Sequence, residues 1–177
     1  MEDTDGLRRQ LDDLAARVSA LEGHLPGGPP EERPSRLPPD TFWALTELQR
    51  RRPEDETTAD GAVMVVGSLD LPTGDPVAWQ EGIGTAGLLE TPWEDLAEPL
   101  AALGHPVRLE LLRRILGGTH STADLAATDG LGTTGQLHHH LRQLKAAGWV
   151  HQTGRGTYAV PARRVVPLLT TILGAHR

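Results

Sequence analysis

The sequence predicts a mainly α-helical chain with a small β component (α+β), organised in four pieces. Three observations predict it. An N-terminal run repeats its apolar residues with a heptad period. Two pairs of short runs carrying valine, threonine and aromatic residues fold back around glycine. From residue 91 onward, leucine stripes recur at helical spacing, punctuated by glycine, proline and capping residues. At 177 residues the chain holds one ordinary domain with appendages. With 38% hydrophobic and 3% aromatic residues, its core is expected to be aliphatic and modest.

The composition excludes several function classes. There is no cysteine, so disulfides and thiolate metal sites are out, and nothing signals an oxidising compartment. No apolar run approaches the roughly 20 residues that span a bilayer, and the acidic start has no signal-peptide pattern. A soluble, cytoplasmic protein without a cofactor is expected. The net charge of -7 hides an asymmetry. Residues 1–94 carry 8 Lys/Arg against 19 Asp/Glu, whereas residues 95–177 carry 9 against 5 and 7 of the 8 histidines. The C-terminal half is the one a phosphate backbone would tolerate.

In the first piece, residues 1–25, Leu7, Leu11, Leu14, Val18, Leu21 and Leu25 are spaced 4, 3, 4, 3, 4. This is an a/d seam, expected to pair with a second copy as a coiled coil; the alternative is an amphipathic helix on its own domain. So short a coil assists a dimer rather than creating one. Residues 26–40, PGGPPEERPSRLPPD, form a Pro/Gly-rich linker. The third piece, 41–90, reads as a small α/β element. TFWALTELQRR is a short helix, GAVMVVGSLDL a strand, Thr73-Gly74-Asp75 a turn and PVAWQEGI a second strand. Too small to bury much by itself, this hairpin is expected to pack on its neighbour. Its GIGTAG matches a dinucleotide-loop pattern letter for letter, but Pro92 interrupts any helix beginning there, and a flexible turn is the better reading.

The fourth piece, 91–177, is the most legible. PWEDLAEPLAALG and HPVRLELLRRILGG are helices with a break at Gly104-His105-Pro106. In the second, Val107, Leu109, Leu111, Leu112, Ile115 and Leu116 form a broad buried face. STADLAA is a short helix capped by Ser121 or Thr122. TTGQLHHHLRQLKAAG comes next, with Leu137, Leu141 and Leu144 on one side and Gly148 at its end. WVHQT and TYAVP are short strands around Gly154-Arg155-Gly156, and ARRVVPLLTTILGA is a last apolar helix. Helix, helix, short helix, turn, longer helix, two-stranded wing and helix is a winged helix-turn-helix order.

The block LAALGHPVRLELLRRIL…STADLAA…TTGQLHHHLRQLKAAGWV resembles the ArsR/SmtB-type winged helix-turn-helix transcription regulators. His139-His140-Leu141 through Ala147-Gly148-Trp149-Val150 match the pattern of the family's recognition helix. The likeness covers about 80 residues, with the coil, linker and 41–90 element outside it. It implies a DNA-binding homodimer, a repressor by analogy, with a dimer surface on the last helix through Val165, Leu168, Leu169 and Ile172. For those four the alternative is ordinary intrachain core. The family's metal sensors do not carry over, because the cysteine motif is impossible here and the last helix supplies only His176 as a ligand.

Three consecutive histidines, His138 to His140, fan around a helix, and no histidine or carboxylate lies three or four residues from any of them, so no single-helix metal site is expected. With the leucines buried, Thr134, His138 and Arg142 point broadly outward, flanked by Gly135 and His139. In a helix-turn-helix, such N-terminal side chains, with Thr133 and Gln136, enter the major groove. His140 is nearer the buried seam and is expected to be packed and satisfied. Arg142 and Lys145 suit phosphates, and Arg155 at the wing tip suits a phosphate or the minor groove. For each of these cations the alternative is a solvated surface charge.

One further expectation concerns control. Trp43, Met64, Trp79 and Trp93 are candidates to line a pocket for a small organic effector; equally, they are the large residues of a small core. No nucleophile elbow or carboxylate–histidine constellation suggests an enzyme. The rival to a regulator is a protein-interaction adaptor that keeps the winged-helix fold without binding DNA.

Overall fold

The computed structural model describes residues 41–128 and 130–176; the heptad run 1–25 and the linker 26–40 lie outside them. Helix α1, Trp43–Arg51, opens the described chain, and the compact unit treated below starts at Glu47. The fold is α+β: helices with two separate two-stranded antiparallel sheets.

Strands β1 (Ala62–Asp70) and β2 (Pro76–Gly84) pair without a register shift from Ala62↔Gly84 to Asp70↔Pro76. Side chains alternate between the faces of a strand, so Val65, Gly67 and Leu69 share one face with Val77 and Trp79. That face is covered by the C-terminal helix, whose Val165 and Val166 are buried against Val77. Gly67 makes the close approach possible: a Cβ there would lie 2.7 Å and 2.9 Å from the two γ-methyls of Val166. The glycine run resolves differently from the expected turn. Gly82 and Gly84 continue β2, and helix α2, Thr85–Glu90, starts directly after them. Gly84 abuts the Thr57 carbonyl, where a side chain has no room, so its glycine serves close packing.

A turn of 3₁₀ helix, Trp93–Leu96, leads into α3, Ala97–Leu103. Helix α4, Pro106–Leu116, begins with Pro106 in its first turn and His105 as N-cap, the ring Nδ1 accepting from Val107 N at 3.2 Å. The short α5, Thr122–Ala126, is capped by Ser121, whose hydroxyl accepts from Asp124 N. Helix α6 runs Thr134–Ala146, strands β3 (His151–Gly154) and β4 (Thr157–Ala159) come after it, and α7, Ala162–Ala175, closes the chain. The second hairpin is tied to the start of α5: Thr122 N donates to Gly156 O at 2.8 Å and Tyr158 N to His120 O at 2.9 Å.

The main core lies between α3, α4, α5 and α6. Leu111, Leu112 and Ile115 of α4 meet Leu125, Leu131, Leu137, Leu141 and Leu144, with Trp149 and Val150 beneath. Leu109, expected in this core, is instead 36% exposed, because α4 buries a narrower stripe than its leucines suggest. The Trp149 indole donates from Nε1 to Pro99 O at 2.8 Å, and the Arg164 guanidinium stacks 5.0 Å from the ring centroid. Among the described residues, no helix is long and apolar enough to cross a membrane.

Candidate nucleic-acid interface

Helix α6 is held by one face and capped by its own sequence. Leu137, Leu141 and Leu144 are fully buried, and Leu131 anchors the loop before the helix. Thr133 is the N-cap: its hydroxyl accepts from Gln136 N at 3.4 Å, while the Gln136 carboxamide oxygen accepts from Thr133 N at 2.8 Å. This reciprocal capping box satisfies two otherwise orphaned backbone donors. Gln136, expected from sequence to enter the major groove, is thus partly committed to the cap, whose signature Thr-x-x-Gln is present in the sequence. A bidentate contact to adenine needs both ends of the carboxamide. The oxygen is engaged in the cap, so only Nε2 remains for an outside partner.

Thr134, His138, His139, Arg142 and Lys145 are all exposed. Helical phase places His139 roughly opposite the leucine stripe, with Arg142 beside it and Thr134, His138 and Lys145 along one shoulder. Gln136 and Gln143 lie on the other shoulder. Among the described residues, the side chains of His138, His139, Arg142, Lys145 and Arg155 have no hydrogen-bond or ion-pair partner. Arg155 is exposed at the tip of β3–β4. These contrast with Arg113 and Arg114, which are committed to Glu110 at 2.6 Å and 2.7 Å. The two guanidinium groups hold the Glu110 carboxyl down at about 2, so it stays ionised and paired.

The three histidines have two fates. His138 and His139 face solvent, whereas His140 packs against the capping ring of His105, with ring centroids 4.6 Å apart. Burial, reinforced by the neighbouring His105, Arg108 and His139, lowers the His140 pKa from its ordinary value. The expected packing is present, but satisfaction is incomplete: His140 Nδ1 is buried with no hydrogen-bond partner. Among the described residues, no three metal-ligating side chains gather into a metal-holding group.

Arg108 links two helices. Its Nε and Nη2 donate to Ala102 O and Ala101 O at 2.5 Å and 2.9 Å, closing the open carbonyl end of α3. Its Nη1 donates to Gln143 Oε1 of α6 at 2.7 Å. No sequence pattern announces such a bridge, because the partners are 35 residues apart.

Two sets of candidate residues are dispersed. Met64 and Trp79 sit on opposite faces of the first hairpin, since Gly67, not Met64, pairs with Trp79. Trp93 is 59% exposed and Trp43 63%. A cavity of the Glu47-onward unit lies elsewhere, lined by Leu69, Leu109, Leu116 and Ile172 among others, and takes in none of Met64, Trp79 and Trp93. On α7, Val165 and Leu168 are buried in the chain's own core, so of the four residues considered for a dimer surface only Leu169 and Ile172 present area outward. Leu7 to Leu25 lie outside the described residues. Comparison with protein-family models, with curated proteins and with solved structures found no match.

Proposed function

We propose that this chain is a sequence-specific DNA-binding transcription regulator of winged helix-turn-helix type that acts as a homodimer. One observation carries the reading: α6 is anchored by three buried leucines, while its opposite face offers histidines and cations with no partner of their own among the described residues. Helix α6 takes the place of a recognition helix, α5 of the helix before the turn, and β3–β4 of the wing. Arg142 and Lys145 serve phosphates, and Arg155 serves a phosphate or the minor groove. His138 and His139 present ring nitrogens to base edges, with Thr134 beside them, while Thr133 and Gln136 mainly hold the helix start in shape. Dimerisation is assigned to the heptad run 1–25 and to Leu169 and Ile172 of α7. By analogy with the family it resembles, the chain represses transcription, and a non-metal effector controls it.

A second reading has its own support. Trp93, Leu89 and Leu100 are more than half exposed, and the chain to residue 94 is strongly acidic, which suits a protein-interaction adaptor better than a polyanion binder. Selection from a random duplex library with the full-length protein, then titration at two salt concentrations, separates the two. A regulator enriches an inverted repeat, loses affinity as salt rises, and loses selectivity in His139→Ala/Arg142→Ala. The adaptor enriches nothing and is indifferent to that pair of changes. Gln136→Ala is the poorer probe, because it also removes half of the capping box.

A further inference from the structure

The two edges of hairpin β1–β2 are built differently. Its ladder continues just past both strand ends, where Leu71 N donates to Asp75 O at 3.0 Å and Thr85 N to Gly61 O at 2.9 Å. Bonded and non-bonded pairs alternate along an antiparallel ladder, so the odd-numbered residues of β1 are the ones that bond to β2. Ala62, Met64, Val66, Ser68 and Asp70 turn their N–H and C=O groups the other way. Among the described residues none of these groups has a hydrogen-bond partner, and no third strand joins the sheet.

An open edge is a template for a further strand, and proteins blunt such edges with proline, charge or a bulge. The β2 edge is blunted: its outward residues include Pro76, which has no N–H, and Gly82 and Gly84, which hold a strand weakly. The β1 edge has no such device before Asp70. AVMVVGSL contains no charge and no proline, and its pairing has no register shift. Val66 and Ser68 are exposed along it.

This edge is complementary to itself. Turned antiparallel on a second copy about Val66, it sets Val66 against Val66, Met64 against Ser68 and Ala62 against Asp70. All the outward residues then pair through about ten hydrogen bonds, and any shift of register leaves fewer. The only charge meets a methyl group and not its own counterpart. Two marginal two-stranded hairpins become one four-stranded sheet across a two-fold axis. Asp70, at the end of the edge, lines the same cavity as Leu169 and Ile172 of α7, so the edge is continuous with surface already assigned to a second copy.

We propose that the β1 edge pairs with the β1 edge of a second copy, antiparallel and centred on Val66. The pairing rests on the homodimer of the proposed function and not on DNA binding.

The chain has no cysteine, so single cysteines in the full-length protein report the register. Val66→Cys sets its two Cα atoms about 5.5 Å apart, within reach of a disulfide. Ala78→Cys, on the same face of β2, sets them roughly 20 Å apart. On oxidation, Val66→Cys should form a covalent dimer at least about tenfold faster than Ala78→Cys, because the paired thiols are held together. Val66→Pro removes only an outward N–H and spares the β1–β2 ladder. In sedimentation it should weaken the dimer by about tenfold or more. A dimer in which both cysteines crosslink alike and Val66→Pro changes nothing overturns the proposal and leaves the homodimer to the heptad run and α7. A monomer at every concentration overturns both. If Val66→Pro does not fold, the cysteine comparison alone decides.

Discussion

The molecule contains two antiparallel hairpins of similar plan and opposite use. Hairpin β1–β2 pairs nine residues on each strand and gives one face to α7, burying Val77 against Val165 and Val166. Hairpin β3–β4 is short, every residue of β3 is exposed, and its tip carries Arg155. The first is part of the scaffold; the second is tied to the start of α5 through Gly156 and Tyr158 and leaves Arg155 exposed at its tip. The difference lies in side chains rather than in strand pairing. A hairpin joins a core when one alternate set of residues is apolar and one position is small enough to admit its partner. It becomes a projection when neither condition holds.

Each hairpin depends on a glycine for a different reason, and substitution separates the reasons. Gly67→Ala adds a methyl where Val166 already sits and should destabilise the protein by about 1–3 kcal/mol in denaturant unfolding. Much of that loss should return in Gly67→Ala/Val166→Ala. If Gly67→Ala is neutral, α7 does not seat on the first hairpin as described. Gly156 is needed for its backbone, φ +72°, at the tip of the second hairpin. Gly156→Ala should therefore cost about 1 kcal/mol, and no change at Val166 should rescue it.

A pH titration sharpens the contrast between packed and projecting groups within α6. The pKa of folded His140 lies below the ordinary 6.5, chiefly through burial, so the unfolded chain binds that proton more readily. Its stabilising contribution is present above the unfolded value and is lost as pH falls through 6.5 towards the folded pKa. Melting curves over that interval should show stability falling with pH, and His140→Gln should flatten the dependence. At the free end of the comparison, Arg155→Ala should change stability by less than about 0.5 kcal/mol. On the proposed reading it should lower the salt slope of DNA binding by about 1 while leaving the preferred sequence intact.

Much of this architecture is legible in residue order. The leucine stripes of α4 and α6, the break at Gly104-His105-Pro106 and both hairpins arise from spacing and turn chemistry. The sequence does not reveal which apolar surface meets which. Val165 and Leu168 read equally well as a dimer face or as core, because α7 is apolar on more than one side; their burial comes from the hairpin and from α4. Leu109 reads as core and lines a cleft for the same reason. For the candidate site, the outward positions of His138, His139 and Arg142 are readable from helical phase alone. The engagement of Gln136 in a cap is also written in the sequence, but it competes with an equally plausible base contact. The bond from Arg108 to Gln143 joins elements distant along the chain and leaves no local trace.

That bond has a mechanical consequence. Gln143 and the outward residues of α6 belong to one rigid rod, and Arg108 clamps that rod to the carbonyl end of α3. Rolling α6 about its own axis would re-aim His139 and Arg142, but it would first have to pull the amide from the guanidinium. The clamp therefore fixes the angle at which the helix faces outward, much as a set screw fixes a shaft. Loosening it would leave only the buried leucines of the same helix to hold the direction in which the surface of α6 points.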